Sequence, residues 1–270
     1  MPCLRSFRTS PAAGQVGYRP GVLALASGPA TARRDLRRSV RLLHAFQVEQ
    51  SDPARFYRTL ADDSVRQLLA YGPLESRLVL DVGGGPGFFR DAFVAAGAAY
   101  VALDADAGEL SAQGLRTAST VVGSGMQLPI RTASVDLCYS SNVLEHVPDP
   151  WRMADEMVRV TRPGGLVFVS YTVWLGPWGG HETSPWHYTG GARAARRYTR
   201  RHGHPPKNVY GRSLFAVSVR DGLRWARGVS GATLLSAVPR YAPSWADRLV
   251  DVPGLREVAT WNLLLLLRRT

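Results

Sequence analysis

Four glycines in five residues, Gly83-Gly84-Gly85-Pro86-Gly87, follow the short apolar run Leu78–Val82, which carries Asp81 near its end. Glycines at alternate positions behind a strand remove side chains where a backbone must lie against a ligand, most often a nucleotide. A phosphate-binding P-loop needs a Lys and a Ser or Thr behind its last glycine, and here Phe88-Phe89 follow instead. A dinucleotide fingerprint places its third small residue at Phe88, which is too large for close helix–strand packing. Proton-transfer chemistry falls to six histidines, His44, His146, His181, His187, His202 and His204. His181 and His187 flank Glu182 and Pro185 at a spacing that no zinc-protease helix uses.

These residues need elements to hold them. From Thr31 to about Tyr71 the pattern is helical, with Leu36, Val40, Leu43 and Phe46 expected on one buried face and Val65, Leu68 and Leu69 on another. Asp52-Pro53 reads as an N-cap and first-turn pair between two helices. From Arg77 short apolar runs alternate with helical stretches. Strands are expected at Leu78–Asp81, Tyr100–Asp104, Thr120–Gly123, Val135–Ser140 and Leu166–Tyr171, and helices beginning near Gly87, Ala107 and Pro150. That alternation predicts an α/β fold with a mostly parallel sheet and helices on both faces. In such sheets ligands bind beyond the carboxyl ends of the strands, where strand order reverses, and the glycine run sits at such an end. Further on, the pattern predicts a helix at about Arg220–Arg227, a strand at Ala232–Val238, a helix at Trp245–Val250 and a strand at Leu263–Leu267. Residues 1–30 read as a disordered or loosely attached arm, 31–72 as a helical cover, and 73–270 as the main domain, with an insertion at 172–212.

Four blocks in order carry a resemblance: Asp81 with Gly83-Gly84-Gly85-Pro86-Gly87 and Asp104; Val122–Ile130; Ser134–Pro150; and Val160–Val167. Together they resemble class I S-adenosylmethionine (SAM) methyltransferases of the type 11 family over roughly residues 75–173. The resemblance implies a Rossmann-like sheet of seven strands, the last pair including an antiparallel one at Leu263–Leu267. It implies SAM as cofactor, held by Asp81, Gly83, Gly85, Gly87, Asp104, Ala105, Ser124, Gly125, Met126, Ser141 and Asn142. Physically, the glycines admit ribose and methionine against the backbone, Asp104 accepts from both ribose hydroxyls, and Asp81 receives the methionine ammonium or orients the glycine turn. The family commonly has an acid after Gly123 for the adenine amino group; here Ser124 offers a hydroxyl instead.

The implied reaction is methyl transfer, with O-methylation of a small molecule, a glycan or a lipid-linked metabolite expected. An alcohol acceptor benefits from a base, and His181, then His146, are the candidates. Asn142-Val-Leu-Glu145-His146 resembles the E-x-x-E-H stretch of quinone-biosynthesis O-methyltransferases, where a cation can be held. Asn142 replaces the first carboxylate, so no metal is expected. Trp174, Trp178, Trp186 and Tyr188 are expected on a loop lying over the cofactor. An RNA methyltransferase, and a SAM-binding interaction protein without catalysis, stay as alternatives.

The net charge is +12, but 45–173 is acidic; the positive charge sits in residues 1–44, with eight arginines against one aspartate, and in 174–212. Gly191–His204 reads as a helix with Arg193, Arg196, Arg197, Arg200 and Arg201 on a cationic stripe. Contact with a membrane surface through that stripe is expected, and a nucleic-acid partner is not, since no RNA-binding module accompanies it. Two cysteines make no disulfide framework and no apolar run reaches the ~20 residues of a membrane span, so a cytoplasmic protein, peripheral to the membrane at most, is expected.

Overall fold

The computed structural model describes residues 34–49, 51–111 and 119–270. The arm expected at 1–30 lies outside the described residues.

Seven strands form one sheet: β1 (Leu78–Val82), β2 (Ala99–Asp104), β3 (Thr120–Val122), β4 (Val135–Ser141), β5 (Thr161–Thr172), β6 (Ala232–Pro239) and β7 (Asn262–Arg269). Their order is β3-β2-β1-β4-β5-β7-β6. The strands from β3 to β5 pair in parallel, whereas β7 runs antiparallel to both β5 and β6. The order reverses between β1 and β4, and a ligand crevice is expected at that point. The helices are α1 (Leu36–Gln47), α2 (Pro53–Leu69), α3 (Arg90–Ala95), α4 (Ala107–Ser111), α5 (Pro150–Val160), α6 (Gly191–His202), α7 (Val219–Gly228) and α8 (Leu255–Ala259). The stretch expected as a helix at Trp245–Val250 is a 3₁₀ segment, Ser244–Asp251.

Strand β7 shows why a run of leucines is tolerated. Leu263, Leu265 and Leu267 enter one core with Met153, Met157 and Leu223, while Leu264 and Leu266 enter the other with Leu60, Phe93 and Tyr139. Period-2 alternation buries both faces, so the strand must be apolar throughout. Asp52 before Pro53 and Asp149 before Pro150 start α2 and α5 by one device: the carboxylate accepts from the third backbone N–H beyond it, Arg55 or Arg152. Proline fills the first helical position, where no N–H is needed.

Helix α1 departs from the expected face. Leu36 is 63% exposed and Val40 41%, while Arg38, Leu42 and Ala45 are buried. The cause is a charge pair: Arg38 makes two hydrogen bonds of 2.7 Å to the carboxylate of Asp63 on α2 and a third to the carbonyl of Arg240. Burial pushes the Asp63 carboxyl up, but Arg38 outweighs it and holds the group below its ordinary value. Rotating the hydrophobic face inward would strand that aspartate in the core. Arg240 itself is wholly buried, donating to Ser141, Ser170, Ser64 and Tyr139, and it ties the cover to the ends of β4 and β5.

Candidate active site

Strand β1 ends in the turn that the glycines make. Gly83, Gly85 and Gly87 have φ of 77°, 47° and 80°, a region where a Cβ is strained. The amides of Gly83 and Gly84 donate to the carbonyl of Leu103, pinning the turn to the end of β2. The reasons for glycine differ along the turn. A side chain at Gly83 would overlap Val143, whereas one at Gly85 would meet nothing within 4 Å. Gly85 is therefore open on the side away from the protein.

Asp104 points back at this turn. One carboxylate oxygen accepts from Gly85 N–H at 3.0 Å and the other from Asp106 N–H at 3.0 Å. Both oxygens keep a further lone pair, which suits two vicinal hydroxyls. Asp81 stands beneath the turn: it is buried, accepts from the Tyr100 hydroxyl, and would lie 3.2 Å from a Cβ on Gly84. Burial is the main cause that pushes its carboxyl up to about 7; the Tyr100 bond opposes this and the charge of Asp104 adds to it.

The loop after β3 is ordered by its own bonds. Ser124 Oγ accepts from Met126 N–H, and Arg152 donates to the Met126 carbonyl. Ser124 and Ala105 are exposed beside Asp104, and Gly125 is pressed against Met153 and Val82. S-adenosylmethionine, implied by the resemblance, fits this half: an open glycine backbone and a carboxylate already aligned by two amides face one place, with no phosphate-binding Lys.

Beyond β4 lies a cavity of about 800 Å³. It is walled by Phe46, Trp178 and Trp261 and carries polar groups from Glu49, Asn142 and Lys207. Asn142, expected at the cofactor, lines this cavity and accepts from Asn262 Nδ2 at 2.7 Å. Ser141 accepts from the guanidinium of Arg240 at 2.7 Å. Both residues sit at the end of β4, between the glycine turn and the cavity.

His146 and His181, which are 35 positions apart in the chain, meet in the cavity wall with ring centroids 5.0 Å apart. His146 Nδ1 lies 2.7 Å from the carbonyl of Ser213. A carbonyl only accepts, so Nδ1 carries the proton and Nε2 keeps its lone pair. Glu145 beside it is 1% exposed and accepts from Thr172 N–H at 3.0 Å. His181 sits in left-handed backbone, φ 48°, on a 3₁₀ turn. Burial pushes its imidazole down to about 4, partly opposed by the charge of Glu145.

Of the aromatics expected over the cofactor, Trp178 alone lines the cavity. Trp174 packs on Tyr210 and His187, Tyr188 is exposed, and Trp186 lies under Arg197, whose guanidinium is 3.8 Å from its ring. Pattern reading missed Glu49, Tyr57 and Trp261, which bring α1, α2 and the segment before β7 into the cavity. One signal was available. Phe88, too large for a dinucleotide turn, stacks on Tyr57 of α2, and the cover comes with it.

The family model described as a methyltransferase domain matches residues 80–169. An uncharacterised methyltransferase of Mycobacteroides abscessus is 57% identical over 249 residues, which cover 87% of this chain and 95% of the relative. One of Mycobacterium marinum is 56% identical over 245 residues, with 87% and 95% covered. The crystal structure of an S-adenosylmethionine-dependent methyltransferase from Mesorhizobium loti superposes with a TM-score of 0.54 at 21% identity, covering 76% of this chain and 96% of that one; it shares the fold. The chain belongs to the class I S-adenosylmethionine-dependent methyltransferases, and SAM is its methyl donor.

Proposed function

We propose that this enzyme methylates a hydroxyl oxygen of a small acceptor, free or carried on a glycan or lipid, bound in the cavity beyond β4. The observation that carries the reading is the pairing of His146 and His181 in a cavity wall next to the glycine turn. SAM supplies a methyl on a sulfonium, so displacement at that carbon needs an aligned nucleophile more than a strong one.

In this reading Asp104 accepts from the ribose hydroxyls, and Gly83, Gly85 and Gly87 let the donor lie on the backbone. Asp81 acts from beneath the turn, lending negative charge toward the ammonium end. Ala105, Ser124, Gly125 and Met126 border the adenine, and Ser141 and Asn142 stand between donor and acceptor. Alignment of the two reactants contributes most, on the order of 7–11 kcal/mol when well oriented. The acceptor proton leaves at the Glu145–His146–His181 end. His146 Nε2 is the better base, since its lone pair is free and Ser213 fixes the tautomer, whereas His181 is held neutral and weakly basic.

Aromatic walls with scattered polar groups suit rings or sugars bearing hydroxyls. A lipid-linked acceptor is supported by α6. Its Arg193, Arg196, Arg200 and Arg201 are exposed and have no carboxylate partner among the described residues, while Tyr198 and His202 of the same helix line the cavity. Among the described residues no helix is long and apolar enough to cross a membrane.

Labelled methyl transfer from SAM into fractionated extract of the source organism tests this. Label is expected in the small-molecule, glycan or lipid fraction, with His146→Ala lowering turnover by roughly 10²–10⁴-fold while SAM still binds. Label confined to RNA or protein would contradict it.

A further inference from the structure

Glu145, His146 and His181 bring three candidate ligand atoms close together. A carboxylate oxygen of Glu145 and one ring nitrogen from each histidine lie within 4.8 Å of one another. Glu145 Oε2 and His181 Nε2 are buried without a hydrogen-bond partner among the described residues. His146 has spent its only ring proton on Ser213, so what it offers there is a lone pair. A carboxylate oxygen and that lone pair are both acceptors and cannot satisfy each other. Buried polar atoms are almost always paired, and one electropositive partner placed among these atoms would satisfy the Glu145 oxygen and the His146 lone pair together.

From this geometry we infer that the three residues form a binding site for one divalent transition-metal cation of the zinc class. The donor set, two imidazoles and a carboxylate, is that of a three-ligand site with positions left open. The ligands are already oriented from behind: Ser213 accepts from His146 Nδ1, and Thr172 N–H donates to the other oxygen of Glu145. Supports of this kind fix ring tautomer and carboxylate direction in metal sites. A cation centred among atoms at the 4.8 Å limit would sit about 2.8 Å from each, so inward rotations of under ~1 Å reach ordinary Zn–N and Zn–O lengths.

Asn142 replaces the first carboxylate of the motif that this segment resembles, which argues against a cation from sequence. The third ligand comes instead from His181, on the insertion after β5, where no local pattern predicts it.

The inference rests on reading this end of the cavity as the one that activates the acceptor. With a cation held, the acceptor oxygen would take an open position on it and its proton would pass to solvent water; the oxygen would then take the methyl from the sulfonium, whose C–S bond pair stays on the departing S-adenosylhomocysteine. The His146 lone pair then serves the metal, not the proton.

The test is calorimetric titration of Zn²⁺, and separately of Mg²⁺, into chelator-treated full-length protein without SAM or acceptor. All proteins carry His202→Gln and His204→Gln, because those exposed imidazoles have ring centroids 6.1 Å apart and could hold zinc themselves. One equivalent of Zn²⁺ is expected to bind and Mg²⁺ is not, since imidazole ligands suit the former. His181→Asn, which tolerates left-handed backbone, and Glu145→Gln, which keeps an acceptor for Thr172 N–H, should each weaken Zn²⁺ at least about tenfold. Co²⁺ should give a visible d–d spectrum that His181→Asn changes. No Zn²⁺ binding, or binding and Co²⁺ spectra unchanged in both variants, would overturn the inference. Methyl transfer assayed in parallel on the protein with His202 and His204 unaltered separates the two readings: activity that persists in metal-free protein leaves the proposed reaction standing and removes the cation from it.

Discussion

The ring of Tyr57 on α2 stacks on Phe88 of the glycine turn, with centroids 5.1 Å apart and planes 7° from parallel. The Tyr57 hydroxyl donates to Glu49 at 3.1 Å, so a single side chain joins the helical cover, the donor turn and the cavity wall. An aromatic pair contributes about 0.5–1.5 kcal/mol beyond its area. Tyr57→Ala should therefore weaken SAM binding by roughly two- to tenfold, whereas Tyr57→Phe keeps the stack and loses only the bond to Glu49. Calorimetry on both variants checks this; equal losses would assign the effect to the hydroxyl.

Gly83 and Gly85 should fail in different ways when changed to Ala. Gly83→Ala drives a methyl into Val143 in left-handed backbone, and the protein should lose about 1–3 kcal/mol of stability. Gly85→Ala meets no atom within 4 Å, so its folding cost is the backbone strain alone. It should nevertheless bind SAM poorly, because the methyl occupies the space the donor needs. Urea melts and SAM titration on the pair separate these effects.

Asp81 makes stability depend on pH. Burial holds its folded-state value at about 7, against an ordinary aspartate value of 3.8 in the unfolded chain. The folded state thus binds the proton more tightly. That contribution is fully present below the unfolded value and is lost as pH rises through about 7. Asp81→Asn carries no charge to desolvate, so between pH 5 and 8 the unaltered protein should lose on the order of 2–4 kcal/mol relative to it; the opposite contribution of His181, whose lowered value adds stability as pH rises, is common to both. Parallel pH slopes for the two proteins would contradict the assignment.

Cutting the Arg38–Asp63 pair should be costly. Asp63→Ala leaves a guanidinium buried against the Arg240 carbonyl with no countercharge, and about 3–5 kcal/mol of stability should go. Denaturant unfolding measures this directly.

Much of the sheet, and the meeting of Asp104 with the glycine turn, was legible because both are local. Asp81, the glycines and Asp104 lie within 24 residues, and a turn between two adjacent strands must bring them together. The alternation of apolar runs with helical stretches likewise placed the strands, although β5 begins at Thr161, five residues before its expected start. The cavity was not legible in the same way. Glu49, Tyr57, His146, His181 and Trp261 come from five separate segments, and no spacing rule links them. The face of α1 was misread because Arg38, a residue expected outside, is buried by a partner 25 positions away. Hydrophobic periodicity carries no signal for a buried ion pair.

If, as proposed, Asp104 and the open backbone at Gly85 hold the methyl donor beside the cavity, SAM affinity must depend on that carboxylate. Calorimetric titration of SAM into the unaltered protein and into Asp104→Ala tests it most directly. One SAM per chain is expected to bind, with a loss of at least about tenfold in affinity on removing the carboxylate, as charge-assisted bonds to two hydroxyls would give. Unchanged affinity in Asp104→Ala, with the fold intact, would contradict it.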